Sequence, residues 1–219
     1  MNDLEEIVEK AGALFQVCVI GTVVAVIAGG AVAAQDLGEF PQNFINEDGD
    51  VETAVIVGDE AKTMDTIGAV NIVGSLSEAA SEHSSSDLED ENIVPNQNYN
   101  DIGLYSTGNI NDEMMEQDMI LVGGPQVNEL TKELAENGDI PGYEEFEQDE
   151  AVIKLVEDAF NEDQNALIVA GYSSQATMDA ANFLAEYHEN EERLDGEQKI
   201  RIDTNEVGQD DFNQLLDEQ

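Results

Sequence analysis

The hydrophobic pattern of the chain contains three short apolar runs, each followed by a glycine turn and then by apolar residues at helical spacing. The runs cover residues 54–57, 119–122 and 166–170, and the turns after them begin at Gly58, Gly123 and Gly171. An unbroken apolar run of this length is typical of a parallel strand that is covered on both faces. Three such units in succession predict a Rossmann-like three-layer α/β/α fold with a mostly parallel sheet.

Helical spacing of apolar residues predicts four helices in this fold. We expect them at residues 62–80, from Pro125 to the Asn137-Gly138 stop, at 148–161 and at 174–187. Pro125 suits a first helical position because it has no N–H to leave unpaired, and Ser173 or Ser174 suits the cap of the last helix. Alternating apolar and charged residues over 199–203 predict a further strand, centred on 200–202, at a half-covered edge of the sheet.

Residues 81–117 interrupt this pattern with serine, asparagine and acidic residues, so we expect an irregular insertion there. A short edge strand over residues 104–108 is predicted within it. Beyond residue 205, Phe212, Leu215 and Leu216 have the spacing of a short helix. We therefore predict a single α/β domain over residues 36–219, which is long enough to bury a substantial core.

Residues 11–34 form an apolar run of membrane-spanning length, which predicts an N-terminal hydrophobic helix. The run ends in small residues before Gln35 that match a signal-peptidase site, so we interpret residues 1–35 as a cleavable export signal. An uncleaved membrane anchor is the rival interpretation, because the head of the segment is acidic where an export signal is basic. Pilin-type processing after Lys10 is a third interpretation.

The chain is strongly acidic, with 50 Asp and Glu residues against 7 Lys and Arg residues and a formal net charge of -43 at pH 7. Such a chain repels itself at low ionic strength, whereas the Debye length falls to about 3 Å at 1 M salt. We therefore interpret the surface as halophilic, with bound calcium or magnesium as the alternative interpretation of its carboxylates. A nucleic-acid partner is not expected, because the sequence lacks a basic footprint.

The sequence gives little support for catalysis. The single cysteine, Cys18, lies in the apolar N-terminal run, and the histidines are His83 and His188, so zinc sites, redox motifs and histidine triads lack their residues. The segment from Gly171 to Gln175 departs from the GxSxG nucleophile elbow, and Gly123-Gly124-Pro125 departs from phosphate-binding motifs. With 50 acidic residues in the chain, chance proximity explains any two neighbouring carboxylates, so a pair of catalytic carboxylates cannot be inferred. We predict a protein that is not an enzyme and has no cofactor.

A ligand crevice, if the protein has one, is expected at the carboxyl ends of the strands, where open parallel sheets bind their ligands. The three glycine turns would meet there. The candidate residues are Gly58, Asp59, Gly123, Gly124, Gly171, Tyr172 and Ser173. Metal-binding residues cannot be assigned from the sequence.

Several segments resemble S-layer proteins of the archaeal, methanogen type. Gly38-Glu-Phe-Pro-Gln-Asn-Phe44 and Ala54-Val-Ile-Val-Gly-Asp-Glu-Ala61 resemble the mature N-terminal segment of that family. Residues 121–130 (LVGGPQVNEL), 151–160 (AVIKLVEDAF) and 167–177 (LIVAGYSSQAT) resemble the later segment. The resemblance spans most of residues 30–203, and the order and combination of the segments carry it.

The resemblance implies a structural cell-surface protein that self-assembles into, or associates with, a surface lattice. It implies an extracellular location in an S-layer or cell wall, and partners that are further copies or other surface-layer subunits. Divalent cations that bridge carboxylates of neighbouring subunits would suit so acidic a chain. The alternative hypothesis is an exported or membrane-anchored module that binds a small ligand or glycan in the strand-end crevice.

Overall fold

The computed structural model describes residues 35–46, 48–86, 103–111, 114–162 and 164–205. Six strands in this part of the chain form one sheet: β1 (Thr53–Val57), β2 (Leu104–Ser106), β3 (Asp118–Val122), β4 (Glu150–Val156), β5 (Ala166–Gly171) and β6 (Lys199–Asp203). Four helices pack on the sheet: α1 (Thr63–Ser86), α2 (Glu129–Asn137), α3 (Ser174–Ala185) and α4 (Tyr187–Leu194). The predicted α/β fold is confirmed at this level.

The strand order is β2-β1-β3-β5-β4-β6, and the sheet is mixed but mostly parallel. β1 pairs in parallel with β2 and β3, and β3 pairs in parallel with β5. β4 runs antiparallel to both β5 and β6. The three strands predicted before the glycine turns therefore lie side by side and point the same way.

Both faces of the sheet are covered, because alternate residues of each central strand join different apolar clusters. On one face, Val55 and Ile120 pack with Ile72 of α1 and Leu184 of α3. On the other face, the next residues along the strands, Ile56 and Leu121, pack with Leu134 of α2 and with Ile140 and Phe146. Burial on both faces explains why these strands are unbroken apolar runs in the sequence.

Helices α1 and α3 lie against each other at close range. A Cβ on Gly68 would lie 2.8 Å from the Cβ of Ala181, so glycine allows this approach. At the edge of the contact, the side-chain amide of Asn71 donates to the side-chain oxygen of Asn182 at 2.7 Å. The helix predicted at 62–80 is thus confirmed, and it extends to Ser86.

Two of the predicted helix ends are confirmed in detail. The Ser173 hydroxyl caps α3 by accepting from the Ala176 N–H at 3.2 Å, as N-cap serines do. Helix α2 stops at Gly138, whose left-handed φ of 87° lets its N–H bond back to Ala135 and Leu134. The helix predicted to end near Tyr187 divides into α3 and α4.

The prediction of a helix at residues 148–161 is wrong. Residues Glu150–Val156 form β4, which lies between β5 and β6. Because β4 is buried on both faces, it needs apolar residues on both, namely Ala151, Val152, Ile153, Leu155 and Val156. In such a run Val152 and Val156 also have the four-residue spacing of a helix. The periodicity of apolar residues therefore did not distinguish a helix from a buried strand here.

The prediction that Pro125 begins a helix is also wrong. Pro125 lies in a turn in which the Gly124 carbonyl accepts from Val127 at 3.0 Å and from Asn128 at 3.1 Å. Helix α2 begins four residues later, at Glu129, with Asn128 as its N-cap. The missing N–H of proline suits a turn as well as a helix start.

The two remaining strand predictions are confirmed, whereas other predictions fall partly or wholly on residues outside the described ranges. The short edge strand is present as β2, which pairs with β1, and β6 is the half-covered strand expected, with Ile202 buried and Arg201 exposed. The N-terminal segment to residue 34, residues 87–102 and 112–113 of the acidic insertion, and the tail from 206 lie outside the described residues. Among the helices that the structure describes, none is long and apolar enough to span a membrane.

Candidate functional site

The carboxyl ends of β1, β3 and β5 bring the three glycine turns together, as the sequence predicts for parallel strands. A Cβ on Gly58 would lie 1.8 Å from the Val127 carbonyl oxygen in the turn after β3. A Cβ on Gly124 would lie 3.2 Å from the Gly171 carbonyl oxygen at the end of β5. Glycine is therefore needed at Gly58 because backbone from the next unit packs directly against it.

A small cavity of about 60 Å³ lies between these turns. Four of the seven predicted crevice residues line it, namely Gly124, Gly171, Tyr172 and Ser173. The other three, Gly58, Asp59 and Gly123, are not part of its lining. Sequence reasoning missed the remaining lining residues, which are Lys62, Asp65, Gln126, Val127, Tyr143, Ser174 and Thr177.

The polar groups of this cavity are largely engaged in holding the turns. The Thr177 hydroxyl accepts from the Gly171 N–H at 3.1 Å and donates to the Ser173 carbonyl at 3.2 Å, which ties β5 to α3. The carboxylate of Asp65, which is buried, accepts from the Lys62 N–H at 2.8 Å at the start of α1. These contacts stabilise helix ends.

Asn128 joins the turn after β3 to two strands. Its side-chain oxygen accepts from the N–H groups of Leu130 and Thr131, and its amide donates to the carbonyls of Ile56 and Val122. An asparagine directly before a helical pattern is a sequence signal for an N-cap. That signal would have found the start of α2, but not the bonds to the strands.

Asp59 lies outside the cavity and fastens β1 to the segment after β2. Its carboxylate accepts from the Gly108 N–H at 3.0 Å, and its own N–H donates to the Thr107 hydroxyl at 3.0 Å. Hydrogen bonds from the Ser106 hydroxyl and then from the Gly108 amide lower the pKa of Asp59. The predicted crevice residue is thus a link between strands.

Two of the lining residues of the cavity are tyrosines that stack on each other. The rings of Tyr143 and Tyr172 have centroids 5.4 Å apart and planes 15° apart. A hydrogen bond with Tyr172 raises the pKa of Tyr143. Tyr172 remains 38% exposed, which is high for a large aromatic side chain. The pair forms an aromatic surface next to the polar rim of Gln126, Ser173 and Ser174.

A larger open depression, of about 460 Å³, lies at the opposite end of the strands, beside the amino ends of β1 and β3. Asn43, Asn46, Glu52, Glu116 and Asp118 are among its lining residues. Burial raises the pKa of Asp118, against the effect of its bonds from Asn165. The described residues contain no group of three or more His, Cys, Asp or Glu side chains arranged to hold a metal ion.

These residues define an α/β domain in which the strand-end groups mostly serve turns and helix caps. Residues 104–188 match the model of the S-layer like family, outer domain, over the stretch from β2 into α4. The resemblance predicted from the sequence is therefore confirmed over this segment. The part predicted from residues 38–44 and 54–61 lies outside the match. No curated protein matches the chain.

The match has a functional meaning at a general level. It suggests a structural role at the cell surface, and proteins of the S-layer-like kind are typically not enzymes. In the structure, the cavity lining among the described residues has no histidine or cysteine, and its Ser173 and Thr177 are engaged in the start of α3.

Proposed function

We propose that this protein is a structural cell-surface protein, S-layer-like, that self-assembles into a surface lattice or associates with one. The match of residues 104–188 to the outer domain of the S-layer like family carries this proposal. The matched stretch includes β3, β4 and β5, which form the centre of the sheet. The role belongs outside the cell, with residues 1–35 as an export signal or a retained membrane anchor.

The size of the strand-end cavity supports a structural role. Pockets for small molecules are typically about 300–1,000 Å³. The cavity between the glycine turns is about 60 Å³. It is therefore much smaller than a typical small-molecule pocket.

The charge of the chain sets conditions on assembly. Copies that each carry -43 repel one another in dilute buffer. Molar monovalent salt shortens this repulsion to about 3 Å, and a divalent cation shared between carboxylates converts it locally into attraction. The proposal therefore includes calcium or magnesium at the acidic surface and a high-salt environment typical of halophilic archaea.

The test follows assembly by light scattering and electron microscopy across a sodium chloride series, with calcium, with magnesium or with chelator. We expect ordered assemblies in high salt or with millimolar divalent cations, and dispersed protein in dilute buffer with chelator. The reverse dependence, or monomers under every condition, would overturn the proposal. The N-terminal residue of protein isolated from cells then separates a cleaved signal from a retained anchor.

A second candidate function rests on the stacked pair Tyr143 and Tyr172. An aromatic pair with one exposed ring, that of Tyr172, beside hydroxyl and amide groups suits a sugar ring, which stacks on the aromatic face. The alternative is therefore an exported or membrane-anchored module that binds a small ligand or glycan at the strand-end crevice. Calorimetric titration with neutral oligosaccharides tests it: binding that Tyr172→Ala abolishes and Leu104→Ala, at a similarly exposed position, leaves intact would support this function.

A further inference from the structure

Basic residues are scarce in this chain, yet three of the six in the described part lie together at one edge of the sheet. They are Lys154 on β4 and Lys199 and Arg201 on β6, and we refer to them as the basic edge patch. Of the others, Lys132 pairs with Glu136 and Arg193 lies over the Phe183 ring, while Lys62 lies at the crevice.

The register of the two strands places the patch on one face. Lys154 is directly opposite Lys199, and Val152 is opposite Arg201. Opposed residues of an antiparallel pair project to the same face with Cβ atoms about 4.5–5.5 Å apart, and like charges there destabilise the sheet. Ile200 and Ile202, which alternate with the basic residues, turn to the opposite face and join the core. Folding alone therefore gives no reason to pair these two lysines.

Only two of the three charged groups of the basic edge patch have a partner among the described residues of the domain. Arg201 forms an ion pair with Glu150, and the Lys154 ammonium donates to the Asp139 carbonyl. No carboxylate among the described residues pairs with the ammonium of Lys199. Burial, followed by the charges of Arg201 and Lys154, lowers the pKa of Lys199, while Glu150 and Glu145 oppose that effect.

The position of the patch makes part of it accessible to another molecule, since Arg201 is exposed while Lys154 and Lys199 are half-buried. β6 is the last strand in the order of the sheet, and the Arg201 side chain is 50% exposed. A strand at a sheet edge also presents backbone groups without a neighbouring strand. Charged side chains and backbone groups at this edge can therefore engage the same partner.

We propose that the basic edge patch docks the acidic surface of a second copy of this chain, an inference that rests on the proposed lattice function. The charge of the partner follows from the sequence, since 50 carboxylates against 7 basic residues make most faces of another copy negative. Opposite charges steer and orient such a contact. Lys199 and Arg201 therefore attract an acidic face of another copy, although Glu150 and Asp203 lie on the same two strands.

The proposed lattice function sets the symmetry of the contact. A two-fold contact, in which the patch of each copy meets an acidic surface of the other, closes as a dimer, whereas a lattice must extend. The inferred contact is therefore of the head-to-tail kind, which forms rings or extends without limit. Extension is what a surface lattice requires, and acidic surfaces that remain uncovered are available for divalent cations.

The experiment compares the full-length wild type with Lys199→Gln and with Lys132→Gln as a matched control, because each change removes one positive charge. An exposed ion pair contributes about 0.2–1 kcal/mol, so Lys199→Gln should raise the protein concentration at half-assembly by up to about fivefold. Lys132→Gln should leave that concentration unchanged. Arg201→Gln gives a second test, with circular dichroism to verify folding because Glu150 loses its partner.

Mixing tests the head-to-tail geometry. A chain with both Lys199→Glu and Arg201→Glu keeps its acidic surfaces, so it can accept the patch of a wild-type copy but cannot extend the assembly. A minor fraction of it should shorten wild-type assemblies. Unchanged assembly of Lys199→Gln, or unchanged length in the mixture, would overturn the inference while the lattice function stands. Failure of the wild type to assemble under any ionic condition would overturn both.

Discussion

The Asn128 side-chain amide donates a hydrogen bond to the carbonyl oxygen of Ile56, at 3.3 Å, across 72 residues of sequence. The same amide donates to Val122 at 3.2 Å, and Asn128 is almost completely buried. The side chain thus connects β1, β3 and the start of α2 at the point where the glycine turns meet. The geometry of the strand-end crevice depends on this residue.

Two substitutions of Asn128 should distinguish the stability that comes from capping α2 from the stability that comes from the hydrogen bonds to β1 and β3. Asn128→Ala loses the cap, worth about 1 kcal/mol, and leaves buried carbonyls without a donor, at about 1–3 kcal/mol, so we expect a loss of about 2–4 kcal/mol. Asn128→Ser keeps a capping oxygen but is too short to bridge, so its loss should be smaller. Urea unfolding of both variants measures the difference. Equal losses in the free energy of unfolding of the two variants would show that only the hydrogen bonds to the strands contribute to stability.

Gly58 and Gly74 form a matched pair for glycine-to-alanine substitution. Gly58→Ala places a Cβ 1.8 Å from the Val127 carbonyl oxygen, so the turn must move, at a cost of at least about 2 kcal/mol. A Cβ on Gly74, on the exposed side of α1, meets nothing within 4 Å. Gly74→Ala should therefore stabilise the fold by about 0.5–1 kcal/mol through helix propensity. Thermal unfolding measures both, and a tolerated Gly58→Ala would contradict this packing of the turns.

Asp118 should give the stability a pH-dependent component. Because burial raises its pKa in the fold above the ordinary value of 3.8, the protonated carboxyl is favoured on folding. That contribution is present below about pH 3.8 and is lost as the pH rises through the folded-state pKa. The variant Asp118→Asn mimics the protonated form, and its side-chain oxygen can still accept from the Asn165 N–H.

The measurement is urea unfolding of wild type and Asp118→Asn between about pH 3 and pH 7, the range in which carboxyl groups titrate. The variant should gain stability relative to wild type as the pH rises, and the difference should vanish in acid. The exposed change Asp48→Asn serves as the control. A difference that stays constant with pH would show that burial of Asp118 has no energetic consequence.

Ionic strength should raise the stability of the fold itself. Between about 0.1 M and about 1 M sodium chloride the Debye length falls from about 10 Å to about 3 Å, which screens most repulsion among the 50 acidic residues. We expect the melting temperature to rise by at least about 5 °C, or about 2 kcal/mol for a domain of this size. Calcium chloride at equal ionic strength separates cation binding from screening. A melting temperature that falls with salt would contradict this expectation.

The sequence by itself determined the features that depend on short stretches of chain. The three apolar runs became β1, β3 and β5, because central parallel strands must be apolar on both faces. Gly138 and Ser173 ended and began helices as expected, since caps depend on neighbouring backbone groups. The acidic composition determined the expected dependence on ions without reference to the fold.

The tertiary structure decided what depends on distant partners. Residues 150–156 became a strand because β5 and β6 supply its hydrogen bonds, although their apolar spacing also suits a helix. Tyr143 reached the crevice because of its stack on Tyr172, which no local pattern signals. Lys154 and Lys199 became neighbours through strand register. Local pattern specifies the conformations open to a segment, whereas long-range hydrogen bonding and burial select among them and place the side chains that make the site.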